Sequence, residues 1–177
     1  MNIKLWDINN DYQCIKTFFG HNHSVSFANF VGNDYIVSCS RDKSIKLWEI
    51  STGYEKRTYS GHENWVRSVA LTSDYKTMVS CSDDQSIIIW KVESNVPVNR
   101  YFAHENCIEC LQIVEGDHSQ FLMQSEFLKH KFTQQNKIEA LKELEAKGSN
   151  GITTYQQPFL LTGSRDKKIM LFMLNTG

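Results

Sequence analysis

Three sets of residues in this chain carry the side chains of a hydrolytic triad: a histidine, a hydroxyl and a carboxylate, followed by an aromatic residue. The sets are His21, Ser38, Asp42 and Trp48; His62, Ser80, Asp84 and Trp90; and His104, Thr162, Asp166 and Phe172. A hydroxyl activated by a histidine that a carboxylate orients can attack an ester or amide carbonyl. Because such a reaction needs one site and the set occurs three times, we expect these residues to be structural and the protein to be non-enzymatic.

The same side chains can form a directional chain of hydrogen bonds. An indole N–H only donates and a carboxylate only accepts, whereas a hydroxyl and an imidazole do both. Buried polar groups need partners, so each set predicts bonds running from the aromatic residue through the hydroxyl and the histidine to the aspartate. Phe172 has no donor, so the third chain lacks its aromatic link. Ser40 lies on the same face of its predicted strand as Ser38, and the sequence does not choose between these two hydroxyls.

A histidine and two cysteines, His104, Cys107 and Cys110, have a spacing that could suggest zinc. The two cysteines are three residues apart on a predicted strand, so their side chains point to opposite faces. We therefore expect no metal site and no cofactor. Five cysteines are an odd number for a disulfide framework, and the chain opens on a strand pattern instead of an export signal. Both features favour a reducing, cytoplasmic compartment.

A repeat of 42 residues must position the three polar sets. Trp6, Trp48 and Trp90 each close an Ile-x-x-Trp segment, and Phe172 closes a weaker fourth copy. The histidine of each set follows a glycine or an alanine, and the aspartate of each set stands six residues before its aromatic residue. A period of about 40–45 residues with these marks is typical of a β-propeller blade. The sequence therefore predicts an all-β propeller.

Alternating apolar and polar residues predict the strands within each unit. The first two strands of the units are expected at 25–31 and 35–40, at 66–71 and 78–82, and at 108–114 and 159–164. A tight turn at the aspartate follows, then the strand that ends in the aromatic residue, then a fourth strand before the next Gly-His pair. Propellers have four to eight blades, and this chain holds about three periods. We expect a piece of a longer protein, with unpaired sheet edges at both ends.

An insertion lengthens the third unit. We divide the chain into blades at 1–116, a helix-prone or disordered insertion at 117–157, and the continuation of the third blade at 158–177. The insertion is rich in Gln, Glu, Lys and Leu, most of which favour helix. One interpretation is a surface loop with partial helicity. The alternative is a partner-binding helix that would use Phe121, Leu128, Phe132, Ile138 and Leu141.

Residues that break the repeat are the candidates for binding a partner. Arg41 and Arg165 precede their turn aspartates, Arg67 stands five residues after His62, and Trp65 lies nearby. These positions are expected on one rim of the propeller, where scaffolding leaves side chains free, and Arg and Trp are common interface anchors. The alternative is that they are ordinary solvated side chains. A net charge of −1 and the lack of a long apolar run favour neither nucleic acid nor membrane insertion.

The chain resembles the WD-repeat family and, within it, the lissencephaly-1 or nuclear distribution protein F family. The stretches that carry the resemblance are SRDKSIKLWE at 40–49 with TGY at 52–54, GHENWVR at 61–67, and FLLTGSRDKKI at 159–169. The resemblance implies a seven-bladed propeller, of which this chain would hold about three blades. The Gly-His and Trp marks are common to WD repeats, whereas the Trp-Val-Arg and Ser-Arg-Asp-Lys contexts are more specific.

This resemblance also implies partners. Such proteins bind the motor domain of cytoplasmic dynein and regulate it on microtubules, and their motor-binding arginines match Arg41, Arg67 and Arg165. Adaptors of the nuclear distribution protein E type and association with microtubules or the centrosome are also implied, as is a non-catalytic role in a platelet-activating factor acetylhydrolase. Further motor-binding residues would follow Gly177, and the helical dimerisation segment would precede Met1. The alternative function is a WD-repeat scaffold subunit of another protein complex.

Overall fold

The computed structural model describes residues 1–116 and 158–174, and all regular structure in these ranges is β-strand. The strands are β1 Asn2–Asp7, β2 Gln13–Phe19, β3 Val25–Val31, β4 Tyr35–Ser40, β5 Ser44–Glu49, β6 Glu55–Ser60, β7 Val66–Leu71, β8 Thr77–Ser82, β9 Ser86–Lys91, β10 Pro97–Phe102, β11 Ile108–Val114, β12 Phe159–Ser164 and β13 Ile169–Met173. The insertion predicted at 117–157 lies outside the described residues. No helix of the described residues has the length and apolarity needed to cross a membrane.

The described strands form four antiparallel sheets. Strands β3–β6 and β7–β10 make two four-stranded meanders, while β1–β2 and β11–β13 make sheets of two and three strands. The predicted all-β propeller is confirmed, and the described part holds consecutive blades of it. The predicted strand bounds hold as well, except that β8 begins at Thr77, one residue earlier than expected.

Both faces of an inner strand are buried in the two four-stranded sheets, because each of these packs between two other sheets. In β9, Ile87 and Ile89 pack against residues of the sheet β11–β13. The alternate residues Ile88 and Trp90 pack against the sheet β3–β6. Successive side chains of a strand point to opposite faces, so this apolar run serves two cores at once. The apolar contacts between sheets are therefore what holds neighbouring blades together.

A tight turn closes the middle of each unit at the aspartate. The residue after the aspartate has a left-handed backbone in all three units, with φ of 71° at Lys43, 69° at Gln85 and 68° at Lys167. The Asp42 carboxylate accepts a hydrogen bond from the backbone N–H of Ser44 at 3.0 Å, which supports the turn without a glycine. These turns lie at the same edge of the sheets as the loops that carry the histidines.

The glycine of the Gly-His pair is required by the close approach of the tryptophan. A Cβ added at Gly61 would lie 2.9 Å from the Trp90 ring, and one at Gly20 would lie 3.1 Å from the Trp48 ring. In the third unit the equivalent residues are Ala103 and Phe172, both packed against the same core. A phenyl ring is smaller than an indole, so the change of ring accommodates the added methyl group.

We expect Gly61→Ala to destabilise the protein by about 1–3 kcal/mol, because the new methyl group overpacks against Trp90. Urea titration would measure the free energy of unfolding. The double variant G61A/W90F is the informative control, since the smaller ring removes the clash. Its cost should be less than the sum of the two single costs. Additive costs would contradict the steric explanation.

Candidate partner-binding rim

A buried serine lies at the centre of each complete polar set. Ser38 Oγ accepts a hydrogen bond from Trp48 Nε1 at 2.8 Å and lies 2.8 Å from His21 Nε2. His21 Nδ1 is 2.8 Å from Asp42 Oδ2. The second set repeats this geometry around Ser80 with distances of 2.8, 2.8 and 2.9 Å. Each set therefore ties the loop before a sheet to the turn in its middle.

The Asp42 carboxylate is held ionised by its neighbours. Burial alone would raise its pKa, but hydrogen bonds from Ser44, His21 and the backbone N–H of Asn22 lower the pKa to about 2. Burial lowers the pKa of His21, so the neutral imidazole is favoured. A neutral His21 can donate from Nδ1 to the aspartate and accept the serine hydroxyl hydrogen at Nε2. Ser38 is completely buried.

Tertiary contacts assign different roles to the two serines that the sequence leaves open. Ser38 joins Trp48 to His21. Ser40 Oγ instead donates to the Ser24 carbonyl at 2.9 Å and accepts from the Asp42 N–H at 3.0 Å. Ser40 therefore provides a second link between the turn and the loop.

The third set lacks the indole donor but keeps the other bonds. Thr162 Oγ1 lies 2.8 Å from His104 Nε2, and His104 Nδ1 lies 2.8 Å from Asp166 Oδ2. No indole donates to this hydroxyl because Phe172 occupies the aromatic position. Thr162 Oγ1 is instead within 3.5 Å of the Met170 carbonyl.

The predicted partner-binding residues lie at the edge that carries the turns and the histidine loops, which we call the rim. Arg41 and Arg165 directly follow β4 and β12. Their backbone N–H groups donate to the carbonyls of Ser24 and Cys107, which precede the neighbouring strands. In the unit between them Asp83 N–H donates in the same way to the carbonyl of Trp65. The repeated pairing places the variable side chains of three units side by side.

Trp65 lies between two arginines on the rim. The Arg41 guanidinium is stacked over the Trp65 ring at 4.0 Å from its centroid, and the Arg67 guanidinium is 5.4 Å away. His23 approaches the same ring at 6.4 Å. Because Arg41 and His23 belong to the preceding unit, the indole joins two blades, and Arg41 covers one of its faces.

Two acidic residues complete the rim. Arg67 Nε and Nη2 donate to the two oxygens of Asp83 at 2.6 and 2.9 Å. Arg165 Nε donates to Glu109 Oε1, and Glu109 Oε2 is 3.9 Å from Arg67 Nη1. We call Arg41, Trp65, Arg67, Asp83, Glu109 and Arg165 the rim cluster. The hydrogen bond from Arg67 to Asp83 raises the pKa of the guanidinium further.

The predicted partner-binding arginines have contacts within the chain. Arg67 and Arg165 are paired within the chain, and Arg41 is stacked on Trp65. The physical reason is that Asp83 occupies the repeat position of Arg41 and Arg165, while Glu109 occupies that of Arg67. Within a unit these two positions lie close together at the ends of the first two strands, so Arg67 meets Asp83 and Glu109 meets Arg165. The opposite charges at these two positions are visible in the sequence when its three units are aligned with one another.

Comparison with known proteins agrees with the repeat. Residues 12–49 and 53–91 match the family described as WD domain, G-beta repeat. The solved WD40 beta propeller domain of Doa1 superimposes with a TM-score of 0.67 and 25% sequence identity. The superposition covers 99% of this chain and 44% of that one. The chain therefore contains WD repeats and forms part of a β-propeller.

Within that family the chain is similar to nuclear distribution proteins. It is 43% identical over 54 residues to nuclear distribution protein PAC1 of Arthroderma otae, a match covering 25% of this chain and 12% of that protein. It is 45% identical over 47 residues to nuclear distribution protein nudF of Aspergillus niger, covering 25% and 11%. The matched segments thus span about an eighth or less of these relatives. A WD-repeat protein with such relatives has a protein-interaction role.

We expect Ser80→Ala to cost about 3 kcal/mol of unfolding free energy, because it leaves both Trp90 Nε1 and His62 Nε2 without a partner. Thr162→Val is the matched comparison. It leaves His104 Nε2 without this partner and removes the long contact to the Met170 carbonyl, and should cost about half as much. Equal losses in urea titrations of the two variants would contradict the central role assigned to the serine.

The free energy of unfolding should fall in two steps as the protein is acidified. The lowered pKa of His21 makes its contribution complete above the usual value of 6.5 and lost as the pH falls below it. The Asp42 contribution is complete above its usual value of 3.8 and is lost as the pH falls towards about 2. Urea titrations between pH 7.5 and about 2 would measure both steps.

The first step can be assigned with one variant and one control. His21→Gln should be less stable at pH 7.5 but should lose less stability between pH 7 and 5 than the wild type. His23→Gln replaces an exposed histidine nearby and leaves the bond from His21 to Asp42 in place, so the first step should still be seen. An unchanged slope in the His21 variant would show that the imidazole does not cause the first step.

Proposed function

We propose that this protein is a non-catalytic WD-repeat regulator that binds the motor domain of cytoplasmic dynein through the rim cluster. The observation that carries the proposal is the convergence of Arg41, Arg67 and Arg165, from three successive units, on one edge of the sheets. The similarity to nuclear distribution proteins supports a role in microtubule-based transport and nuclear positioning, in the cytoplasm or at the centrosome. Adaptors of the nuclear distribution protein E type are further candidate partners.

The chemistry of the rim cluster suits acidic groups on a protein surface. A guanidinium has a planar fork that binds a carboxylate through two parallel hydrogen bonds. The side chain of Arg165 is 57% exposed, so it can contact a partner without a change in the backbone around it. Trp65 and Asp83 restrain Arg41 and Arg67, which lowers the entropy lost on binding.

Charge reversal of the three arginines tests this proposal. We expect R41E/R67E/R165E to weaken binding to the dynein motor domain by at least about tenfold, since like charges would then face the acidic partner. Binding to the purified motor domain would be measured at fixed ionic strength. Because R67E also faces Asp83, R41E/R165E is a second variant that keeps the Arg67–Asp83 pair intact.

The matched control reverses three exposed lysines at positions away from the rim cluster, in the variant K56E/K76E/K91E. It changes the net charge by the same amount and should alter motor binding by less than about twofold. If the arginine variants fold and bind the motor domain as the wild type does, the proposal fails. A WD-repeat scaffold of another complex would then be the better assignment.

A further inference from the structure

The carboxylate of Glu109 occupies a position that suits a carboxylate of a partner. It lies between two arginines of different blades, with Oε1 accepting from Arg165 Nε and Oε2 3.9 Å from Arg67 Nη1. Glu109 is 37% exposed at its side chain, so this bridge is partly open to solvent. An internal anion therefore fills the point at which two rim cations converge.

Asp83 contacts the same arginine in a different way. It binds Arg67 through Nε and Nη2, and leaves Nη1 directed at Glu109. Its side chain is only 10% exposed, and its backbone N–H is bonded to the Trp65 carbonyl. A two-point contact of this kind fixes the plane of the guanidinium. Asp83 thus orients Arg67, whereas Glu109 neutralises the nitrogen that Asp83 leaves available.

We propose that Glu109 is a built-in competitor for the acidic partner of the rim and that Asp83 is a positioning residue for Arg67. A partner carboxylate takes the place of Glu109 between Arg67 and Arg165, and Glu109 turns into solvent. This inference rests on the proposed function in assigning partner binding to the rim cluster. It adds that the two acidic residues, which carry the same charge, have opposite effects on affinity.

The competition is weak enough to be overcome. Exposed ion pairs contribute little because water and salt screen them, so displacing Glu109 has a modest cost. Replacing it with the isosteric glutamine should therefore tighten binding by about fivefold. Asp83→Asn should instead weaken binding by about fivefold or more, because Arg67 loses the fixed orientation that a partner carboxylate needs.

The experiment compares E109Q, D83N and E105Q with the wild type, using the dynein motor domain as the first probe. Glu105 is the matched control because it neighbours the rim, pairs with Lys168 at 3.3 Å, and has a side chain 83% exposed. E105Q removes the same single negative charge and should change affinity by less than about 1.5-fold. Tightening by E109Q alone, with weakening by D83N, is the expected result. Equal tightening by all three variants would mean that affinity depends only on the net charge of the protein, and this result would overturn the proposal.

A second probe separates this inference from the proposed function. A hexaglutamate peptide is titrated into the wild type and into E109Q while the NMR signal of the Arg165 Nε–H group is followed. In a separate measurement without peptide, the rate at which that hydrogen exchanges with solvent is determined for both proteins. We expect faster exchange in E109Q than in the wild type, and tighter peptide binding. If the motor domain binds none of the proteins but E109Q still binds the peptide more tightly than the wild type does, the assignment to dynein is wrong. The role of Glu109 as a competitor is then still supported. If exchange and peptide affinity are the same in E109Q and wild type, the competitor role is wrong.

Discussion

The rest of this structure depends on the buried hydrogen bonds that converge on Ser38 and Ser80. Each serine joins an indole on one strand to an imidazole on a preceding loop, and the imidazole reaches an ionised aspartate in the turn. Leaving any of these groups unpaired in the core would cost more than the bond itself contributes. The loop, the turn and the strand are consequently held in one arrangement in each blade.

This constraint determines what the rim can present. Because the turn and the loop are fixed to the same edge, the residue before each aspartate pairs through its backbone with the residue before the first strand of the same unit. Their side chains then project without any further role in closing the blade. In two units the residue before the aspartate is arginine, and in the unit between them it is Asp83, so the charges alternate along the rim.

The third unit shows how far the arrangement tolerates change when residues change together. Thr162 keeps the hydroxyl, but Phe172 removes the indole donor, and Ala103 takes up the space that the smaller ring leaves. The bond between His104 and Asp166 survives at 2.8 Å. The link between loop and turn is therefore the part retained, while the link to the aromatic strand is dispensable in this blade.

The residue period, the strand bounds and the membership of each polar set are determined by the sequence itself. They follow from side-chain alternation and from which groups can donate or accept, and both are local properties of the chain. Residue spacing also shows that Arg41, Asp83 and Arg165 occupy one repeat position. It does not predict which side chains they contact.

Only the tertiary structure decided between Ser38 and Ser40, placed Arg41 on Trp65, and paired Arg67 with Asp83 and Glu109. These outcomes depend on distances between strands and between blades. The packing of whole sheets sets those distances, and a pattern along one chain does not contain them.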